Sequence, residues 1–369
     1  MRSRRARAVR EKISAKLVLR ILDASPPVKP AGGGKTESAR GERPPRLFFR
    51  SLPGPKRAEF TGAAATLCCV RRLIVNADDF GLTAGVNRAI VETHIGGVVS
   101  SATLMANGAR FEDAVAAARS APNLSVGCHV VLVDGTPVSP PGALDTLLAI
   151  RSAEPNKFYS SLSAFAARAM LGGFDRDQLV AEVTAQIRKI QSAGLPVTHL
   201  DTHKHAHIFP EILTALLRAA RICGVRAIRN PIVPVKALPA RLFKGKPHLW
   251  KRYGQVRVLH TFSGQFHQRT KRAGLVTPDG VLGVIETGSV GISLLRQTLA
   301  NLPEGTWELV CHPGYNDADL RGAGTRLLDA REEERRLLTS AELRQFLDEQ
   351  KIRVIGYREF VETFTENRP

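Results

Sequence analysis

The chain has 369 residues, with 53 Lys or Arg against 34 Asp or Glu and a formal net charge of +19. That length allows one large buried core, and no stretch approaches the roughly 20 consecutive apolar residues that a membrane-spanning helix needs. The charge is unevenly placed: residues 1–60 hold sixteen Lys or Arg and five Asp or Glu, a net +11 of the +19. What is left is too dilute, and too poor in aromatics near basic runs, to argue for a specific nucleic-acid partner.

Residues 1–69 read as a basic extension, interrupted by Gly32-Gly33-Gly34 and Pro44-Pro45, that cannot form a core of its own. Ala6, Val9, Ile13, Leu17 and Ile21 could line one face of a basic amphipathic helix, giving weak electrostatic contact with anionic lipid or nucleic acid. No Met lies between Met1 and Met105, and Val70 directly precedes the first core strand, so a start assigned too far upstream would also account for the segment. The folded domain is expected over 70–369.

The first strand, Arg72 to Ala77, is a continuous apolar run apart from Arg72 and Asn76, as expected of a buried parallel strand. Asp78 and Asp79 follow at its carboxyl end. Two adjacent carboxylates repel, so a partly buried pair implies a cation, an arginine or a raised pKa; the other reading is that Asp79 caps the helix starting near Thr83. The run Leu124 to Leu132 contains one ionisable side chain, His129, which in isolation reads as a core histidine or as a ligand.

The strand ending Thr198-His199-Leu200-Asp201-Thr202 leads into His203, His205 and His207 before Pro210, a residue suited to the first turn of a helix. Continued strand geometry would put all three histidines on one side, and a helical turn would pair His203 with His207; spacing does not choose between them. The strand Thr306 to His312 ends at Pro313-Gly314, which forces a turn and holds His312 at the strand's carboxyl edge, the edge where parallel α/β sheets bind ligands. One carboxylate and two neutral imidazoles can hold a divalent metal with positions left open, and a neighbouring carboxylate can act as a base. Strands over Leu73–Ala77, Val98–Met105, Leu124–Leu132, Val197–Asp201, Val225–Arg229, Glu308–Cys311 and Ile352–Ile355 alternate with helical patterns, which argues for parallel βα units. The five cysteines show no paired metal spacing and fit reduced thiols in a cytoplasmic protein.

From about Arg71 to about Phe364 the chain resembles the YdjC-like carbohydrate deacetylases, which include chitooligosaccharide deacetylase and the hopanoid-biosynthesis-associated deacetylase. The resemblance rests on Leu73-Ile74-Val75-Asn76-Ala77-Asp78-Asp79-Phe80-Gly81, Ser101-Ala102-Thr103-Leu104-Met105, Gly127-Cys128-His129, Thr198 through His207, and His312-Pro313-Gly314. It implies an α/β fold, a distorted (β/α) barrel with mostly parallel strands, and metal-dependent removal of an N-acetyl group from an amino sugar, with Mg²⁺ or Zn²⁺ as cofactor. It further implies Asp79, His129 and His203 as metal ligands, Asp78 as the base and His312 as the acid. Arg229, at the end of Val225–Arg229, could pair with Asp78 and keep it ionised, or be a surface charge. Members differ in the pair after the first ligand histidine, here Val130-Val131, which leaves the choice of sugar open. A homodimer is allowed for. A metal-dependent phosphoesterase or nuclease and a non-enzymatic metal-binding protein are the alternatives; the latter has no use for Asp78.

Overall fold

A computed structural model describes residues 71–149, 156–234, 250, 254, 260, 263–284 and 292–366. The basic extension and its amphipathic stretch lie outside the described residues. Eight strands are present among them: β1 (Arg71–Phe80), β2 (Ser101–Leu104), β3 (Ser125–Val130), β4 (His199–Thr202), β5 (Ala227–Ile228), β6 (Gly280–Leu282), β7 (Gly305–Cys311) and β8 (Ile352–Val354). They form one sheet in the order β5-β4-β3-β2-β1-β7-β6, with β8 paired to β1 over Arg71–Leu73. Every pairing is parallel. Its two ends are bridged by backbone hydrogen bonds from Val276 N to Arg226 O (2.9 Å) and from Val281 N to Ile232 O (3.0 Å), so the sheet curls into the expected distorted barrel. Seven strands were foreseen; β6 was not, its apolar pair Val281-Leu282 standing between Gly280 and Gly283.

The helices are α1 (Ala84–Ile95), α2 (Phe111–Arg119), α3 (Leu162–Met170), α4 (Arg176–Ser192), α5 (Pro210–Cys223), α6 (Ser263–Ala273), α7 (Ile292–Ala300), α8 (Ala318–Gly322), α9 (Asp329–Leu338), α10 (Ala341–Glu349) and α11 (Tyr357–Glu366). Local chemistry sets their ends. The Thr83 hydroxyl accepts the Val86 N–H at 3.1 Å to start α1, and Asp175 accepts from Asp177 and Gln178 to start α4. Pro210 stands in the first turn of α5, and Gly224, left-handed at φ 74°, ends it. In α4, Leu179, Val183, Ile187 and Ile190 are buried at helical spacing. The same helix buries Glu182 and Gln186, whose carboxylate and amide accept the N–H groups of Val138, Ser139 and Val131, each at 2.9 Å. They tie down the loop that follows β3. No helix among the described residues is long and apolar enough to cross a membrane, and the three described cysteines, Cys128, Cys223 and Cys311, are free and buried.

The interior of the curl is polar at one level. Under the carboxyl edge, the His199 ring stacks on Tyr357 at 3.6 Å between centroids and 10° between planes, and its Nε2 meets Asn76 Oδ1 at 3.1 Å. Gly127 lies against the same ring: a Cβ there would come within 2.5 to 2.7 Å of three of its atoms. The need is for space, since the ring is held on its other side by Tyr357. Gly127→Ala is expected to cost about 1 to 3 kcal/mol, the usual penalty for overpacking, and to displace His129 two residues along. The midpoint of chemical denaturation would show the first effect; a variant as stable as the parent would mean that His199 can yield.

Candidate active site

The first construction problem is how two consecutive residues of one strand can share a site, since neighbours in a strand point to opposite faces. β1 solves it with a bulge. Ala77 pairs with Ala102 and Phe80 with Leu104, so three steps on β1 oppose two on β2, and the extra residue falls at the aspartates. Asp79 takes a left-handed conformation, φ 64°, an uncommon state for a residue other than glycine but one that aspartate tolerates. Asp79 is thus part of the bulge, and the cap of α1 is Thr83.

At this edge Asp79 Oδ1 lies 3.5 Å from His129 Nε2 and 3.5 Å from His203 Nδ1, and the two ring nitrogens are 3.3 Å apart. Two ligands about 2.1 Å from a shared ion would stand roughly 3.0 to 3.4 Å apart, so these three atoms are spaced as a ligand set would be. His129 is the cross-strand partner of Asp201, whose Oδ1 meets its Nδ1 at 2.8 Å. That bond favours a proton on Nδ1 and points Nε2 toward Asp79, where it can bind a cation once its own proton has left. Asp79 is fixed from the other side by Arg331, whose Nη2 donates to Oδ2 at 2.5 Å. Burial opposes ionisation of Asp79, yet Arg331, followed by His203 and His129, holds its carboxyl well below the ordinary range. A second set, Asp78, His129 and Asp201, also has ligand atoms within 4.8 Å of one another. Both of its carboxylates already bind Arg229, which makes it the poorer host for a cation.

Arg229 is fully buried and is the hub beneath the edge; the reading of it as a surface charge is set aside. Its Nη2 and Nη1 donate to Asp78 Oδ1 (2.6 Å) and Oδ2 (2.9 Å), Nη1 lies 2.7 Å from Asp201 Oδ2, and Nε donates to Glu308 Oε1 at 2.8 Å. Burial would raise the Asp78 pKa, but Arg229, then His129 and His312, hold it far below the carboxylate range. Thr103 Oγ1 stands within reach of Asp201 Oδ2 (3.0 Å) and Asp78 Oδ1 (3.3 Å), and Tyr357 donates to Glu308 Oε2 at 2.6 Å.

Five buried carboxylates, Asp78, Asp79, Asp201, Glu308 and Glu334, therefore stand around two buried guanidinium groups, Arg229 and Arg331. Negative charge is left over, which a divalent cation would offset. Without one, protons take that part. Burial opposes charging His129, but Asp201, Asp78 and Asp79 raise its pKa to about 9. Burial pushes Glu308 up to about 7 against the pull of Arg229 and the Tyr357 hydroxyl. The folded, metal-free protein then binds a proton at Glu308 that the unfolded chain, at 4.5, does not hold. The associated stability is full below 4.5 and is lost as pH rises through about 7. In chelator-treated protein, Glu308→Gln is expected to flatten the fall of melting temperature over that window; parallel curves for parent and variant would remove Glu308 as the cause.

His312 sits at the end of β7 with Nε2 4.0 Å from Asp78 Oδ2. The histidine cluster follows neither geometry anticipated for it. Lys204 and His205 are left-handed, φ 55° and 53°, inside an irregular 3₁₀ segment, His203–Ile208, so the three rings part company. His203 joins Asp79 and His129. His207 is tied to the Thr202 hydroxyl through Nδ1 at 2.6 Å, and burial keeps it neutral. His205 is also kept neutral, near 3, by burial and Arg229, and its Nδ1 has no partner. Sequence reasoning passed over Asp201, Glu308, Arg331 and Glu334. The first two did leave a signal: Asp201 alternates with His199 and His203, and Glu308 is the one acid in an apolar strand.

Fold and site together define a parallel α/β protein whose carboxyl edge gathers carboxylates and imidazoles at ligand spacing. The chain belongs to the YdjC-like family, described as "YdjC-like protein", whose family model matches residues 72–349. A carbohydrate deacetylase from Brevibacillus brevis is 33% identical over 292 residues, covering 78% of this chain and 99% of the relative. One from Thermoanaerobacter pseudethanolicus is 29% identical over 288 residues, covering 78% and 98%. The crystal structure of an Enterococcus faecalis protein, provisionally named for cellobiose-phosphate cleavage, superposes with a TM-score of 0.63 at 24% identity, covering 79% of this chain and 99% of that one. It shares the fold.

Proposed function

We propose that this protein removes the N-acetyl group from an N-acetylated amino sugar by hydrolysis, with Asp79, His129 and His203 holding a divalent metal, Asp78 as base and His312 as acid. The observation that carries the reading is the triangle of Asp79 Oδ1, His129 Nε2 and His203 Nδ1 with edges of 3.3 to 3.5 Å, placed beside a second carboxylate that is not part of it. The donor set and the surplus of negative charge fit a Mg²⁺- or Zn²⁺-type ion. When bound, such an ion supplies Lewis acidity at the amide carbonyl and the attacking water.

The chain's own groups supply the proton transfers. Asp78 Oδ1 accepts from Arg229, Asn76 (3.0 Å) and Thr103, whereas Oδ2 accepts from Arg229 alone and faces His312, so Oδ2 is the oxygen that takes the proton of the attacking water. A carboxyl held so far down by Arg229 does not keep that proton: once His312 has protonated the amine, Asp78 Oδ2 returns its proton to His312 Nε2, 4.0 Å away, and both groups are restored. His312 Nε2, on the same side, gives a proton to the departing amine. The family names of the relatives favour an amide of a sugar over a phosphodiester. Measuring acetate release from N-acetylglucosamine oligomers, with and without chelator and beside a phosphodiester assay, tests the reading. Chelator-sensitive acetate release is the expected result; phosphodiester cleavage without acetate release would overturn it.

A further inference from the structure

Helix α9 reaches the site with two buried side chains one turn apart, Arg331 (1% exposed) and Glu334 (4%), in a run otherwise rich in exposed charge. Positions i and i+3 share a helix face. Arg331 goes to Asp79, on the side of the ligand triangle, and Glu334 goes to His312. Glu334 Oε2 accepts the backbone N–H of His312 at 2.5 Å and stands 4.0 Å from its ring Nδ1. That ring nitrogen is buried and makes no hydrogen bond. The imidazole is therefore suspended between two carboxylates, each 4.0 Å from one of its nitrogens, Glu334 at Nδ1 and Asp78 at Nε2.

We infer that Glu334 is a positioning residue for His312: it receives the Nδ1 proton, turns Nε2 toward the reacting amide, and steadies the imidazolium. This rests on the reading of His312 as proton donor. An unpartnered buried nitrogen is costly, and a movement of about 1 Å by ring or carboxylate would bring Nδ1–H and Oε2 to bonding distance. Such bonds are commonly long before substrate arrives. Burial raises the Glu334 pKa against the pull of His312 and Arg331, so the carboxyl is a group that gains from a cationic partner. Asp78 across the ring, Arg331 a turn earlier on α9 and His205 are the other charged or titratable groups around His312.

Glu334→Gln in the full chain tests this, since the amide keeps an oxygen for the His312 N–H and loses only the charge. Its kcat for acetate release should fall about 10- to 100-fold, the loss usual for a hydrogen-bond partner of a functional histidine. KM, melting temperature and Zn²⁺ affinity by calorimetry should stay within about twofold, while the alkaline limb of the pH–rate profile moves to lower pH. Glu334→Asp should recover part of both. A Glu334→Gln enzyme with parental kcat and pH profile, beside an inactive His312→Asn, would overturn the assignment of Glu334 alone; an active His312→Asn would overturn the acid reading and this inference with it. Should Glu334→Gln not fold, long-range ¹H–¹⁵N spectra of the parent decide: a proton on His312 Nδ1 is expected, and a ring whose Nδ1 carries none excludes the assignment.

Discussion

Alanine at Asp79 is expected to remove divalent-metal binding and acetate release together. Of the three atoms in the triangle, Asp79 Oδ1 is the one that carries formal charge when the imidazoles are neutral, so its loss should weaken the metal by at least the roughly 10-fold seen for lesser changes around metal sites. Stability should suffer as well. Arg331 is buried, and its Nη2 rests on Asp79 Oδ2; removing the partner strands a guanidinium, at a cost of about 3 to 5 kcal/mol. Asp79→Asn separates the two effects, because asparagine also tolerates the left-handed backbone at φ 64° and still offers Arg331 an oxygen. It should fold nearer to the parent and still bind metal poorly. Calorimetric titration with Zn²⁺ and Mg²⁺, together with chemical denaturation, checks both halves. Parental metal affinity in Asp79→Ala would move the cation to the set of Asp78, His129 and Asp201.

How far the sequence foretold this arrangement depends on the range of the interactions. The strands that carry the motifs are local features, apolar runs closed by turn residues, and Leu73–Ala77, Leu124–Leu132 and Glu308–Cys311 each fall on a strand of the sheet. β6 escaped because Gly280–Leu282 owes its strand geometry to pairing with β7, a contact made across the chain. Likewise the bulge at Asp78 and Asp79 follows from how β1 meets β2, which no pattern within β1 reveals.

The same division runs through the site. Asp78, Asp79, His129, His203 and His312 stand at strand ends with turn residues beside them, and resemblance supplied their expected roles. Arg229 was named with its partner Asp78, although its burial and its two further carboxylates were not foreseen. Arg331 and Glu334 could not be found at all, because α9 reads Asp329-Ala330-Arg331-Glu332-Glu333-Glu334-Arg335-Arg336, a solvated helix by composition. Which two of its charges turn inward is decided by docking against the sheet edge. The histidine cluster shows the converse limit: its composition announced a function, yet two consecutive left-handed residues, Lys204 and His205, send the rings in different directions.

Asp78→Asn is expected to keep the metal and lower the rate by about 10² to 10⁴, the usual contribution of a general base. The amide is nearly the same size and cannot take a proton from water. It also changes the hub. Arg229 donates to both Asp78 oxygens, so the NH₂ of asparagine would oppose one of those donors, and one hydrogen bond is lost at a cost of about 1 to 3 kcal/mol. Asp201 and Glu308 remain on Arg229, which should keep the fold intact. Metal affinity is the discriminating readout. Asp78 lies outside the triangle of Asp79, His129 and His203, so binding should stay within a few-fold of the parent while kcat collapses. If the metal is lost with the activity, the cation belongs with Asp78, His129 and Asp201. If activity persists, Asp78 is structural, and the base must be sought at His205, whose neutral ring has an unpartnered Nδ1.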